Sequence, residues 1–90
     1  MEDQEVFKRY LTTDSKLKQY PSKKPLRMMA LAWMASHFEM NQIYTEKEVN
    51  EILKSHLAFS DHELLRRELY TYHFMDRKKD GSQYWLEIQP

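Results

Sequence analysis

An apolar stripe at helical spacing predicts a short helix within residues 1–13. The stripe consists of two adjacent pairs about one helical turn apart, Val6 with Phe7 and Tyr10 with Leu11. A helix this short is only marginally stable alone in water, so the stripe has to pack against another surface. The rest of the domain or a second protomer would serve. We expect a homodimer whose interface is this stripe.

A second helix is predicted from Pro25 to about Phe38. Proline suits the first turn of a helix because its missing N–H would have no helical partner there. Residues 28–35 carry no charge, so the helix is apolar on nearly every side. Such a helix is typical of the centre of a domain or of an interface.

Two S/T-x-x-E patterns predict the starts of two further helices. Thr45 precedes Glu48 by three positions, and Ser60 precedes Glu63 in the same way. In this capping box each side chain accepts a hydrogen bond from the other residue's backbone N–H. The second of these helices extends over about residues 61–73. A short strand is expected just before the first, at residues 41–44.

Near the C-terminus the spacing of apolar positions changes from a helical period to an alternation typical of strands. A β-hairpin is predicted over about residues 75–88, with Asp80-Gly81 at its turn. This dipeptide favours a type I′ turn, which needs positive φ at both central residues. The register that follows pairs Met75 with Leu86 and Arg77 with Tyr84.

The predicted order is therefore helix, helix, short strand, helix, helix and hairpin. Three helices followed by a hairpin form a winged helix, here an α+β, helix-rich fold with an extra N-terminal helix. We expect residues 1–90 to form a single domain, with that helix in 1–13 and the core in 22–88. The helix over 61–73 would be the recognition helix and the hairpin over 75–88 the wing. Fold alone does not establish function.

Three motifs occur in a specific order along this chain. They are YTEKEVN at 44–50, LRREL at 65–69 and DGSxYW at 80–85. Each is weak alone, but together they resemble the prokaryotic domain of unknown function 2087 over about residues 16–86. The resemblance implies an association with transcription regulators, and it supplies no catalytic residue.

The total charge of the chain does not point to a functional class, but two local clusters of basic residues do. The 90 residues hold 14 Lys+Arg and 14 Asp+Glu, so the formal net charge is zero and bulk charge does not indicate nucleic-acid binding. Two basic clusters remain, at 16–27 and 77–79. No apolar run is long enough to cross a membrane, the N-terminus does not resemble a signal peptide, and we expect a cytoplasmic protein.

Basic side chains on the predicted recognition helix and wing form the candidate nucleic-acid interface. Arginine in the major groove bonds to guanine edges or to phosphate, and lysine on a wing neutralises phosphate. The candidates are Arg66, Arg67 and Tyr70 on the recognition helix, Lys78 and Lys79 on the wing, and Lys23 and Lys24 before the second helix.

Each of these positions also has a structural interpretation. Arg67 follows Glu63 by four residues, the favourable order for a helical ion pair. Arg66 would then pair with an acidic side chain of a neighbouring helix, namely Glu48, Glu51 or Asp61. On the hairpin, Arg77 would stack on Tyr84 in a cation–π pair.

Two functions stay open on these observations. The first is a DNA-binding transcription regulator of winged-helix type, acting on double-stranded DNA as a dimer. The second is a protein–protein interaction module on the same scaffold without DNA binding. Glu63 and Glu68 on the recognition helix favour the second, and the family resemblance favours the first.

Nothing in the sequence indicates catalysis, a cofactor or a metal. Cysteine is absent, and Gly81 is the only glycine, which excludes a P-loop and a dinucleotide-binding fingerprint. The four histidines, His37, His56, His62 and His73, lack the spacing of metal ligands. We expect His56 to lie at the edge of the core.

Overall fold

The computed structural model describes residues 2–87. Within this range it contains four helices and one β-hairpin. In chain order they are α1 (Glu2–Lys8), α2 (Lys24–Ala35), α3 (Glu46–Ser55), α4 (His62–Thr71), β1 (Met75–Arg77) and β2 (Tyr84–Leu86). The predicted α+β, helix-rich class and the winged-helix-like layout are confirmed. Within the described range no helix combines the length and the apolar composition needed to cross a bilayer.

Helix α2 ends at Ala35, three residues before the predicted end. The N–H groups of His37 and Phe38 bond to carbonyls three residues back, at Met34 and Ala35, which closes the helix in a tighter turn. Leu26, Ala30, Leu31 and Met34 are buried, and Ala32 is exposed on the opposite side. The helix is therefore central to the fold, and one side still faces solvent.

The two predicted capping boxes have different outcomes. At the start of α3, Thr45 Oγ1 accepts from Glu48 N at 3.1 Å and Glu48 Oε1 accepts from Thr45 N at 2.8 Å, so this box is confirmed. The second prediction is wrong, because α4 is capped by Asp61, one residue after Ser60, and the Asp61 side chain makes no capping bond. In that register the third helical residue is Leu64, which has no carboxylate to complete a box.

The predicted hairpin register is confirmed: Met75 faces Leu86 and Arg77 faces Tyr84 in an antiparallel pair. Of the short strand expected at residues 41–44, only Tyr44 pairs: it forms an isolated bridge and exchanges two backbone hydrogen bonds of 2.8 Å with Tyr84. Its position next to β2 gives the order Tyr44, β2, β1.

The turn of the hairpin differs from the prediction. Among the described residues, φ is positive at Gly81 (75°) but not at Asp80, which excludes a type I′ turn. Gly81 N–H donates to Lys78 C=O at 2.9 Å, so Lys79 and Asp80 lie at the centre of the turn. Asp80 Oδ1 accepts from both the N–H and the hydroxyl of Ser82, and this side-chain turn holds Asp80 at negative φ.

The N-terminal helix packs against its own chain. Phe7 is 7% exposed, and its ring meets Trp33 of α2 edge to face, with the centroids 6.4 Å apart. The core of its own protomer therefore covers most of Phe7, and a dimer interface at this stripe stays a prediction. Val6, Tyr10 and Leu11 pack against the same core and are partly exposed.

The segment between α1 and α2 contributes to the core rather than serving as a plain connector. Leu17 is fully buried, its N–H donates to His56 C=O, and its C=O accepts from Ala58 N–H, both at 2.8 Å. These bonds attach the segment to the loop between α3 and α4. Residues from the segment and from every helix and strand thus enclose one core.

Candidate nucleic-acid interface

Glu46, the first residue of α3, connects α3, α4 and the hairpin. Its Oε1 lies 3.7 Å from Arg66 Nη2 and accepts from the Tyr84 hydroxyl at 3.4 Å. A Cβ placed on Gly81 would lie 3.9 Å from the same oxygen, so the hairpin loop lies directly against the start of α3. The loop is thereby held near the middle of α4.

Arg66 is occupied by contacts within the protein. Its Nη1 donates to Asn50 Oδ1, its Nη2 pairs with Glu46, and the side chain is only 16% exposed. It does pair with a neighbouring helix, but its partners are Glu46 and Asn50 rather than the three acidic residues expected. As a DNA-contacting residue Arg66 is a poor candidate, because contact would require these bonds to be broken.

Tyr70 is also occupied. The Arg77 Cζ lies 4.2 Å from the centroid of the Tyr70 ring, so Arg77 stacks on Tyr70 and not on Tyr84 as predicted. The cross-strand neighbour Tyr84 is buried in the core, whereas Tyr70 on α4 is partly exposed beside the hairpin. One face of the Tyr70 ring is consequently covered.

Arg67 remains exposed on the outer side of α4. Within residues 2–87 the structure shows an ion pair between Arg66 and Glu46 but none between Glu63 and Arg67, so the predicted helical pair is not formed. Leu65 and Leu69 are buried on the inner side of the helix. Arg67 is thus the cation that α4 presents to solvent.

The two wing lysines are exposed as expected. Lys78 and Lys79 lie at and beside the hairpin turn, and neither belongs to an ion pair within residues 2–87. Because the Glu46 contacts hold the hairpin loop near α4, Arg67 and these lysines lie on adjoining elements.

Lys23 and Lys24 are exposed at the start of α2, where Lys23 is the N-cap residue without a side-chain capping bond. The same end of the molecule contains Tyr20, whose hydroxyl donates to Glu68 Oε1 of α4 at 3.2 Å. Burial and the Glu68 carboxylate raise the pKa of Tyr20 well above its ordinary value. This contact connects the segment before α2 to the second half of α4.

Two histidines form an aromatic group with Trp33 that the sequence did not indicate. The His37 and His56 ring centroids are 3.8 Å apart, and the His37 centroid is 4.7 Å from that of Trp33. Burial first, and then the neighbouring His56, lower the pKa of His37 below its ordinary value. Within the described residues no three His, Asp or Glu side chains are grouped as a metal site.

Long-range contacts explain what sequence reasoning missed. The partners Arg66 and Glu46, Tyr70 and Arg77, and His37 and His56 lie on different elements. No local spacing relates them. For Arg66 the sequence indicated a partner on a neighbouring helix but not which residue it is.

Most of the chain matches a known family model. The model described as "Uncharacterized protein conserved in bacteria (DUF2087)" matches residues 16–86. This range includes every described helix and strand after α1, and it confirms the resemblance drawn from the three sequence motifs. No curated protein and no solved structure matches the chain.

Proposed function

We propose that this chain, which belongs to the bacterial family of uncharacterized proteins DUF2087, is a DNA-binding module of winged-helix type in transcription regulation. In this proposal α4 enters the major groove, and the hairpin lies over the adjacent phosphate backbone. Arg67 contacts base edges, while Lys78 and Lys79 neutralise phosphates.

The observation that supports the proposal most is the exposed, unpaired state of Arg67 beside a hairpin that presents two lysines. Arginine with a free guanidinium can bond to guanine O6 and N7 together, which is the commonest specific contact in the major groove. Arg66 positions α4 rather than reading DNA, because Asn50 and Glu46 hold its guanidinium.

The charge of the interface sets the expected salt dependence. Each phosphate neutralised contributes about −0.9 to the slope of log affinity against log salt, so two wing lysines give a slope near −2. A slope near twice that value would indicate two protomers on one duplex. Such a complex would pair through a surface other than Phe7, which is buried within its own chain.

Selection from a pool of random duplexes, followed by fluorescence anisotropy on the enriched site, tests the proposal. Arg67→Ala should weaken specific binding by ~1–3 kcal/mol and relax the preference at one base position. Lys79→Ala should weaken all sequences alike and lower the salt slope by about one. Lys54→Ala is the control, since this exposed lysine lies at the far end of α3.

Two results of this experiment would contradict DNA binding through α4 and the hairpin. If the wild-type chain binds no duplex at ~50 mM salt, where phosphate contacts are strongest, the DNA-binding proposal is wrong. If Arg67→Ala and Lys54→Ala bind alike, α4 does not contact the bases. A protein–protein interaction module on the winged-helix scaffold would then be the function to pursue.

A further inference from the structure

A cleft separates residues 41–43 from the outer side of the hairpin. Its volume is about 440 Å³, which lies within the ~300–1,000 Å³ of typical small-molecule sites. The cleft follows from the pairing of Tyr44 with Tyr84, because this pairing sets the preceding loop beside β2. Neither α4 nor any residue assigned to base contact lines it.

The apolar part of the cleft comes from Ile43, Trp85 and Leu86. Tyr44 and Tyr84 point into the core, so the alternation of side chains places their neighbours Ile43 and Trp85 on the opposite face. Ile43 is 55% exposed, the highest value among the large apolar side chains described. A ligand that covers this side chain removes its apolar surface from water, which contributes favourably to the free energy of binding.

Trp85 presents the flat face of its indole ring to the cleft and has no free hydrogen-bonding group to donate. Its only polar atom, Nε1, donates to Glu87 Oε1 at 3.3 Å, and Glu87 does not line the cleft. The indole is therefore fixed by its edge. An indole held in this way is suited to stack on a planar ring.

The polar part of the cleft consists of three carboxamides and one ammonium group. The carboxamides belong to Asn41, Gln42 and Gln83, and the ammonium group to Lys78. A carboxamide donates and accepts at once, which matches the edge of a nucleobase, and Asn or Gln pairs with adenine through two bonds. Among the described residues that line the cleft, Lys78 is the one charged side chain, while Glu87 and Asp76 lie beside Trp85 without lining it. An anion would therefore bind at the Lys78 end of the cleft.

We propose that this cleft binds a free nucleotide. The base stacks on Trp85, its edge bonds to the carboxamides, and the phosphate pairs with Lys78. A simple anion would leave the indole and the amides unused, and an uncharged aromatic ring would leave Lys78 unused. Nucleotide binding does not require α4 to contact DNA, so each proposal can fail without the other.

Titration of the ¹⁵N-labelled full chain with adenosine 5′-monophosphate tests the proposal by NMR. The two indole N–H groups report separately, because Trp33 packs on Phe7 and His37 and does not line the cleft. We expect the Trp85 indole and the Gln83 carboxamide resonances to move with one saturating curve, while the Trp33 indole stays in place.

Two variants and a control locate the ligand. Lys78→Ala should weaken binding roughly tenfold through the lost charge-assisted bond to phosphate. Trp85→Leu should weaken it by a similar factor through lost stacking. Lys54→Ala removes an exposed lysine outside the cleft and should bind as the wild type does. Lys78 is exposed, so its variant remains informative if Trp85→Leu does not fold.

Several results would overturn the proposal. One is the absence of any shift at ~1 mM adenosine 5′-monophosphate, a concentration that detects weak ligands. Another is an equal response to inorganic phosphate or to benzoate, which lack a base. A response to a single-stranded oligonucleotide or to a peptide without one to the mononucleotide would also reject a free nucleotide as the occupant.

Discussion

Replacing Arg66 by alanine tests whether this arginine supports the fold or contacts DNA. Its guanidinium donates to Asn50 Oδ1 and lies 3.7 Å from Glu46 Oε1. The side chain is largely buried between α3 and α4. The substitution therefore removes the principal polar connection between α3 and α4.

The magnitude follows from these two contacts. A hydrogen bond with a charged donor contributes ~1.5–3 kcal/mol to the free energy of unfolding. The ion pair adds less, about 0.5 kcal/mol, because the Glu46 side chain is 50% exposed and water screens it. The sum is ~2–3.5 kcal/mol, which lowers Tm by roughly 10 °C or more in a domain of this size.

Urea unfolding followed by circular dichroism measures the effect, with Arg67→Ala as the matched control on the next, exposed residue. The control should change the free energy of unfolding by no more than ~0.5 kcal/mol. Asn50→Ala should lose most of what Arg66→Ala loses, and the double variant little more, because both remove the same bond. Equal stability of the Arg66 and Arg67 variants would refute this structural role.

Three other predictions test local features. Thr45→Ala should lower the free energy of unfolding by ~1 kcal/mol in urea melts, whereas Asp61→Ala, which removes no capping bond, should change it less; the reverse order would contradict the assigned caps. Phe7→Ala should lower the free energy of unfolding by ~3–5 kcal/mol in urea melts, because the core of the same chain covers the ring. A loss within the ~0.5 kcal/mol of a surface substitution would contradict this packing. The pKa of His37 is lowered in the folded chain, so the unfolded chain takes up this proton at a higher pH. The free energy of unfolding therefore falls as pH drops through the unfolded value of about 6.5, and it levels off below the folded pKa. His37→Gln should flatten that part of the stability–pH curve, and an unchanged curve would exclude His37 as its source.

Local rules predicted the elements and the register well. The alternation around Asp80-Gly81 determined which residues face each other in the hairpin, and the Thr45–Glu48 box marked the start of α3 correctly. In each case the interacting groups lie close together in sequence. Spacing alone was sufficient for these two features, although the similar Ser60–Glu63 pattern was displaced by one residue.

Contacts between distant elements were not predictable in this way. Arg66 and Glu46 are twenty residues apart, and the partner of Arg77 depends on which tyrosine the core buries. Leu17 is an isolated apolar residue without a periodic pattern, so its burial followed only from the backbone bonds to His56 and Ala58. The predicted turn type was wrong for a different, local reason. Asp80 bonds to Ser82, and this contact overrides the usual preference of an Asp-Gly pair for a type I′ turn.

Mapping a duplex onto the folded chain tests the central claim most directly. Backbone amide shifts of the ¹⁵N-labelled protein are followed at ~50 mM salt as duplex is added, and again at ~200 mM. The account predicts salt-sensitive changes concentrated at Arg67 and along residues 78–82, with α1 unaffected. Changes confined to other surfaces, or none at the lower salt, would contradict a DNA interface built from α4 and the hairpin.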